Sequence, residues 1–582
     1  MRLPGSRFRR LLLICVGCGI ASAGFGCGRR PEVAPDTTSK LSWFQDATRE
    51  VGLSFVHNPG STNEFFMPQT VGSGCALFDF DNDGRLDILL LQNAGKGSEH
   101  RHQLYHQEND GQFRNVSDGS GIDVPGLGMG VICGDVNNDG RIDVCISEYG
   151  GLRLFLNDGG GRFRDVTTAA GLRNTRWGVS AAFFDYDRDG WLDLFVANYV
   201  DYDSTWPCFS PSGAREYCGP QTFSGTASVL FHNRGLRETE AGPAVGFDDA
   251  SVTSGIADRI SAGLGCHAAD YDADGWPDLL VANDEAANHL WINQRDGTFR
   301  EEAVIRGIAL NRSGEPEANM GIAYGDVDGD GLCDVLISHL TTETHTLWRQ
   351  YSPGQFQDET SIRLIANLAS RRTGFGTGLL DLDRDGDLDL VVVAGRVLRG
   401  TSPLQAELGP HWSPYAERNQ LFSNTDGRFE DISTSNPELC DQPRIARGLS
   451  WGDIDNDGDL DLLVNYLGGT ARLYRNVAVA KGHWLMVKAV LPQHKRDALG
   501  AEVTLVSRQR RWVGLVQTCG SYASSQDPQV HFGLGSCEKL EQILVKWPDG
   551  THESFPAPSV DQRVEVKQGT GTTIEPAPGT IP

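Results

Sequence analysis

Nine residues, Asp79-Phe-Asp81-Asn-Asp83-Gly84-Arg-Leu-Asp87, set four carboxylates at positions one, three, five and nine of one short stretch. The pattern recurs six more times, starting at Asp135, Asp185, Asp270, Asp326, Asp381 and Asp453. Alternate residues of a tight loop can face inward together. A hard cation such as calcium takes six to eight oxygens at about 2.3–2.6 Å. The glycine at position six (Gly84, Gly140, Gly190, Gly275, Gly331, Gly386 and Gly458) gives the sharp turn that wraps an ion. The candidate metal ligands are therefore Asp79, Asp81, Asp83 and Asp87, then Asp135, Asn137, Asp139 and Asp143, then Asp185, Asp187, Asp189 and Asp193. Asp270, Asp272, Asp274 and Asp278 follow, then Asp326, Asp328, Asp330 and Asp334. The last two sets are Asp381, Asp383, Asp385 and Asp389, and Asp453, Asp455, Asp457 and Asp461. Only Asn137 departs from aspartate.

An EF-hand needs a glutamate at position twelve and flanking helices. Position twelve here is Leu90, Ile146, Val196, Val281, Ile337, Val392 or Val464. The plain alternative is a polar turn, since Asp, Asn and Gly dominate turns. Seven copies argue against it, because carboxylates crowded into nine residues repel one another without a counter-ion. The expected cofactor is calcium, up to seven ions.

The elements that position these loops are strands. Each loop lies between short apolar runs, as in Cys75-Ala-Leu-Phe78 and Ile88-Leu-Leu-Leu91. A second repeat, Leu-aromatic-x-Asn, then a Gly turn, then Phe, reads as a hairpin. Leu154-Phe-Leu-Asn157 with Phe163 and Leu290-Trp-Ile-Asn293 with Phe299 are examples; others start at Leu104, Leu230, Leu347 and Leu421. One hairpin is split. Leu473-Tyr-Arg-Asn476 has no Phe strand after it, and Phe44 has no Leu strand before it. They complete each other if the array closes into a ring. The fold class is all-β, a seven-bladed β-propeller followed by a small β-sandwich-like domain. Glycine patches such as Gly126-Leu-Gly128-Met-Gly130 and Gly374-Phe-Gly376-Thr-Gly378 precede strands, not helices, and read as inner strands crowding the axis. The longest insertions fall between Asp193 and Asp270 and between Asp389 and Asp453.

The formal net charge of −26 argues against a nucleic-acid or anionic-membrane partner. Residues 1–27 read as a signal peptide: Arg2, Arg7, Arg9 and Arg10 precede the apolar run Leu11 to Phe25. Ala21-Ser-Ala23 fits a cleavage site, and Cys27 would suit a lipid anchor, although Gly24-Phe25-Gly26 is a poor lipobox. Residues 28–41 are a linker, 42–477 the propeller, 478–568 the second domain and 569–582 a disordered tail. Cys208 and Cys218 flank a loop as a disulfide would in an oxidising compartment. Cys519 and Cys537 could also pair. Cys75, Cys133, Cys145, Cys266 and Cys333 sit in or beside apolar strands and read as buried thiols.

The Gly-Phe-Gly-x-Gly patches followed by Asp-x-Asp-x-Asp-Gly-x-x-Asp resemble FG-GAP (VCBS) repeats, as in the integrin α-chain propeller. That resemblance covers Trp43 to about Asn476 and implies calcium at the same aspartates. Ala498-Leu-Gly-Ala-Glu-Val503, His531-Phe-Gly-Leu-Gly535 and Val545-Lys-Trp-Pro-Asp-Gly550 resemble the ASPIC/UnbV module. A propeller ending in this module is similar to the cartilage acidic protein family, with its bacterial members. The resemblance implies an extracellular calcium-binding protein and supplies neither a reaction nor a ligand.

The sequence has no His-Glu-x-x-His. His531, with Asp527 and Tyr522, is the most tempting titratable group and reads as structural; His267 reads as a strand residue. No catalytic residue is assigned. The favoured reading is an exported, monomeric binding or adhesion scaffold, extracellular, periplasmic or on the cell surface, for a protein or glycan ligand. The membrane enters only through an anchor at Cys27. The alternative is an exported enzyme, for instance a carbohydrate-active one, working in the propeller channel.

Overall fold

The computed structural model describes residues 42–575 apart from 63, 240–241, 366–370, 404, 407 and 480. The expected export signal and linker, Cys27 and the last seven residues lie outside them.

Among the described residues, seven four-stranded antiparallel sheets make up the repeat region. Their first strands are Cys75–Phe78, Gly128–Gly134, Gly178–Phe184, Gly263–Ala269, Ile322–Gly325, Gly374–Leu380 and Ala446–Gly452. Each packs against the next, and the seventh returns to the first. The sheets are thus the blades of a closed β-propeller. Blade 7 takes its fourth strand from the N-terminal end of the array: Phe44 pairs with Asn476 and Asp46 with Tyr474. The split hairpin is the closure, and closure removes the exposed edge an open array would leave.

The second strands, such as Asp87–Leu90 and Asp389–Ala394, are buried along their whole length. They read as unbroken apolar runs because neighbouring blades cover both faces. Most fourth strands bury one residue, Phe113 or Phe429 for example, and leave the others exposed or half-buried. The glycines of the first strands let neighbours approach. A Cβ on Gly130 would lie 2.3 Å from Val179 O, one on Gly265 2.2 Å from Met320 O, and one on Gly321, just before the fifth of them, 2.1 Å from Phe375 O.

The last residue of the Leu-aromatic-x-Asn motif locks blade to blade. Asn157 Nδ2 donates to Phe80 O of the preceding blade (2.7 Å) and to Ile142 O of its own (3.1 Å). Asn233, Asn293, Gln350 and Asn424 repeat the double bond, each reaching the residue at loop position two of the blade before. Asn476 reaches Leu382 O, and Gln107 of blade 1 reaches Ile454 O of blade 7. The lock therefore runs through every joint, including the closure.

The C-terminal domain has two sheets sharing one core. One holds His483–Leu491, Arg496–Asp497, Val530–Gly535 and Gln562–Lys567; the other Glu502–Val506, Arg511–Leu515, Gln542–Lys546, His552–Pro556 and Thr572–Thr573. The expected tail thus begins too early: Thr572 and Thr573 pair with Ser554 and Glu553, and Gly569 N–H is held by Glu553. The Thr- and Gly-rich composition hides an edge strand whose stability comes from its partner, not its own side chains.

Between Arg511–Leu515 and Val530–Gly535 the chain leaves this domain and enters the axial channel of the ring. Residues Thr518–Gln526 are small or polar, and all are buried or nearly so. Ser525 N donates to Cys75 O of blade 1 (3.0 Å), and Val131 N of blade 2 donates to Ala523 O (3.1 Å). Ala523 N is received by Ser180 Oγ of blade 3 at 3.1 Å. Ser521 exchanges backbone bonds with Ile322 of blade 5, and its hydroxyl takes Thr377 N of blade 6 at 3.2 Å. Ser450 of blade 7 donates to Ser525 O at 2.7 Å. Tyr522 reaches Val71 O at 3.0 Å. The channel is plugged by the chain's own C-terminal domain.

Cys208 and Cys218 form a disulfide. Cys519 and Cys537, read as a further pair, are both free, because Cys519 is carried into the plug. The five strand cysteines are buried thiols as expected.

Removing one blade lock isolates its worth. Asn424→Ala takes the side-chain donor from the buried Val327 O and the half-buried Leu388 O, which costs about 2–4 kcal/mol. Urea unfolding compared with the exposed Asn115→Ala checks this; equal midpoints would refute the lock.

Candidate functional site

Every Asp loop joins the first strand of its blade to the second, so all seven stand at one end of the ring. Within each loop the carboxylates organise the backbone. Position one receives the N–H of position six: Gly84 to Asp79 at 2.8 Å, Gly140 to Asp135 at 2.7 Å, Gly458 to Asp453 at 2.9 Å, and likewise in the other four. The glycine φ values run from +85° at Gly84 to +98° at Gly386, a region that glycine enters without penalty. Position five receives the N–H of position seven, as Arg85 to Asp83 at 3.0 Å.

Position nine does the most. Asp87 takes Phe80 N on one oxygen (3.2 Å) and Gln107 N of the third strand on the other (2.8 Å). Asp143, Asp193, Asp278, Asp334, Asp389 and Asp461 do the same with Asn157, Asn233, Asn293, Gln350, Asn424 and Asn476. These backbone bonds account for aspartate at one, five and nine without any ion. Position three has less to do in the turn. In blades 2 to 4 it accepts one long bond, 3.1–3.3 Å, from the N–H at position five. Its carboxylate instead faces its neighbours. Asp79, Asp81 and Asp87 place oxygens within 4.8 Å of one another, as do Asp185, Asp187 and Asp189, and Asp270, Asp272 and Asp278.

The grouped charges are unfavourable as they stand. Burial, reinforced by the neighbouring carboxylates, pushes Asp87 and Asp334 up to about 8 and Asp193 to about 7. Asp143, Asp278, Asp381, Asp389 and Asp461 are held well above the usual carboxylate range for the same reason. Asp185 Oδ1 and Asp381 Oδ1 are buried with no hydrogen-bond donor. Buried acceptors without donors, in an all-oxygen set, fit a hard divalent cation.

The C-terminal domain sits over this end and supplies basic groups to it. Lys481 Nζ lies 2.5 Å from Asp383 and 2.9 Å from Asp385; Arg510 lies 2.8 Å from Asp387 and Arg563 2.8 Å from Asp453. Lys546 pairs with Asp270. Arg496 reaches Asn138 Oδ1 at 3.0 Å and Gly190 O at 3.2 Å.

The groups considered for chemistry are not brought together. His531 bonds Gly458 O at 2.9 Å, while Tyr522 is inside the channel. His267 is fully buried between Tyr271 OH (2.9 Å) and Gln517. The sequence reading missed His106 and His232, which stand at the x of Leu-aromatic-x-Asn and point at the loop carboxylates. The repeat marks that position but varies it freely.

At the opposite end the two long insertions meet. Tyr217 of the first hydrogen-bonds His411 of the second at 3.0 Å and stacks on Trp412; Glu216 takes the hydroxyl of Tyr415. Trp206 and Phe209, on the disulfide-bearing insertion, are 57% and 61% exposed.

The raised carboxylates fix a pH dependence. Their native values lie above the unfolded value near 3.9, so between about pH 4 and 8 the native state holds more protons than the unfolded one. In chelator, thermal stability therefore falls as pH rises from 5 to 8. A divalent ion bound there would displace those protons, so the gap between melts with metal and with chelator is expected to widen over the same range. A gap independent of pH would contradict this.

Comparison with known proteins follows the same division. The FG-GAP-like repeat model matches residues 79–146, 135–196, 270–337, 326–392 and 412–464, and the ASPIC and UnbV model matches 491–573. Cartilage acidic protein 1 of Mus musculus is 24% identical over 315 residues, which is 52% of this chain and 44% of the relative. The Homo sapiens protein is 23% identical over 312 residues, 52% and 43%. The chain thus spans less than half the length of these curated relatives. Among solved structures, an Agrocybe aegerita lectin with specific recognition of non-reducing terminal N-acetylglucosamine aligns with TM-score 0.34 at 15% identity, over 62% of this chain and 79% of the lectin. BBS1N in complex with ARL6DN aligns with TM-score 0.37 at 9% identity, over 76% and 99%. Both scores are too low to support a functional comparison. With its repeats matched over half of the sequence and its last domain matched separately, the chain belongs to the FG-GAP-like repeat family and ends in an ASPIC and UnbV module.

Proposed function

We propose that this protein is an exported binding scaffold whose propeller is held by calcium in up to seven loops. It presents the face opposite those loops to a protein or glycan ligand. The observation that carries the reading is the asymmetry of the two ends. One end is covered by the C-terminal domain and its plug. The other carries the joined insertions, with Trp206 and Phe209 exposed on a disulfide-closed segment. Exposed aromatics of this kind supply contact area at low entropic cost, and a disulfide suits an oxidising compartment. The aspartates at positions one, three, five and nine would hold calcium, with Asn137 as the neutral member of its set. Calcium bound there would offset the charge that now rests on buried carboxylates.

The channel is not available for chemistry while Thr518–Gln526 fills it, which disfavours an enzyme working there.

Ions that bind the native state alone stabilise it by mass action. Chelation of the purified protein is expected to lower its melting temperature by roughly 10 °C or more. An unchanged melt would remove the calcium part of the reading. On glycan and extracellular-protein arrays probed in calcium, the double variant Trp206→Ala/Phe209→Ala is expected to lose the signals of the wild type. Retained signals would move the ligand surface elsewhere.

A further inference from the structure

The seven loops share their aspartates but differ in what the third strand of the blade aims at them. The residue at x in Leu-aromatic-x-Asn is apolar in blades 2 and 4 (Leu156, Ile292) and serine in blade 6. In blades 5 and 7 it is arginine. Arg349 Nε lies 2.6 Å from Asp328, and Arg475 Nε 3.0 Å from Asp455. There the position-three carboxylate already has a permanent cation. In blades 1 and 3 the residue is histidine.

His232 of blade 3 is 7% exposed, and its Nδ1 makes no hydrogen bond. That nitrogen lies 3.3 Å from Asp187 Oδ2 and 3.2 Å from Asp193 Oδ1. Three donor atoms, one nitrogen and two oxygens, thus converge on one point. In blade 1, His106 Nε2 lies 3.1 Å from Asp81 Oδ2 and 3.5 Å from Asp83 Oδ2, the latter oxygen also paired with Arg85. Two ligands bonded at about 2.0–2.2 Å in tetrahedral array stand ~3.4 Å apart, close to these separations. Calcium takes oxygen ligands, whereas imidazole beside carboxylate suits zinc and its first-row neighbours.

We propose that the loops of blades 1 and 3 are mixed imidazole–carboxylate sites for a first-row divalent metal ion, with zinc as the representative. Asp187, Asp193 and His232 are the ligands in blade 3, and Asp81, Asp83 and His106 in blade 1. Asp187 is partly open to solvent and gives the ion its way in. Calcium in the other loops is not required for this. The opposing reading is that a protonated histidine replaces the ion, as the arginines do in blades 5 and 7.

The purified protein is equilibrated with excess calcium and micromolar zinc, dialysed, and both metals counted per chain by plasma mass spectrometry. Two zinc ions resisting calcium are expected. His232→Ala loses one, His106→Ala the other, and the double variant both, with calcium at the remaining loops unaffected. No retained zinc, or zinc unchanged in the double variant, overturns the proposal. Because calcium is counted in the same sample, failure of the zinc sites and failure of the calcium reading are separately visible. Zinc-edge X-ray absorption on the wild type needs no variant. Imidazole scattering with nitrogen and oxygen at about 2.0–2.2 Å supports the sites, and an all-oxygen or sulfur shell overturns them.

Discussion

The buried carboxylate at position nine of each loop is the constraint on which the rest of the molecule depends. Asp389 shows why. One oxygen fixes the loop through Leu382 N, and the other fixes the third strand through Asn424 N. Asn424 then spends its side chain on Val327 O of the preceding blade. A single aspartate thus couples loop, blade and neighbour. It does so at full burial, where an ionised carboxylate is costly without a compensating charge. On the proposed reading, the stability of the ring and the binding of cations would be two aspects of one interaction.

The C-terminal domain extends this coupling. Its lysines and arginines meet the loop end, where negative charge is concentrated. Its inserted segment bonds to six of the seven first strands, and Gln517 just before it meets His267 of the remaining blade. The plug fits because both surfaces are small: a Cβ on Gly74 would lie 1.7 Å from Ala523 O. Among the described residues, the repeat and C-terminal regions are in consequence one compact body. The proposed ligand surface is the far face, where the two insertions from opposite sides of the ring hold one another.

Most of the architecture was legible in the sequence because it is periodic. Seven Asp loops, apolar flanks and a split hairpin between Phe44 and Asn476 dictate the blades and their closure. The expected glycine crowding is there too. The function of the motif asparagine was not legible, since its partners lie in another blade at separations such as Asn424 to Val327. The plug was hidden for a different reason: Thr518–Gln526 lacks apolar periodicity and reads as surface loop until the channel around it is known. His106 and His232 were obscured by the repeat itself, which draws attention to its invariant positions and away from the variable one. The edge strand at Thr572–Thr573 was lost to composition.

Hydrogen exchange at the plug tests the central claim most directly. The amides of Ser521, Ala523 and Ser525 are buried in the channel and bonded to blades 5, 3 and 1. If cations on the loop carboxylates hold ring and C-terminal domain together, these amides are strongly protected in calcium and exchange faster by orders of magnitude in chelator. Protection that is the same in both conditions, with the fold intact, would show that the loops stand as turns and that the ring does not depend on their charge being neutralised.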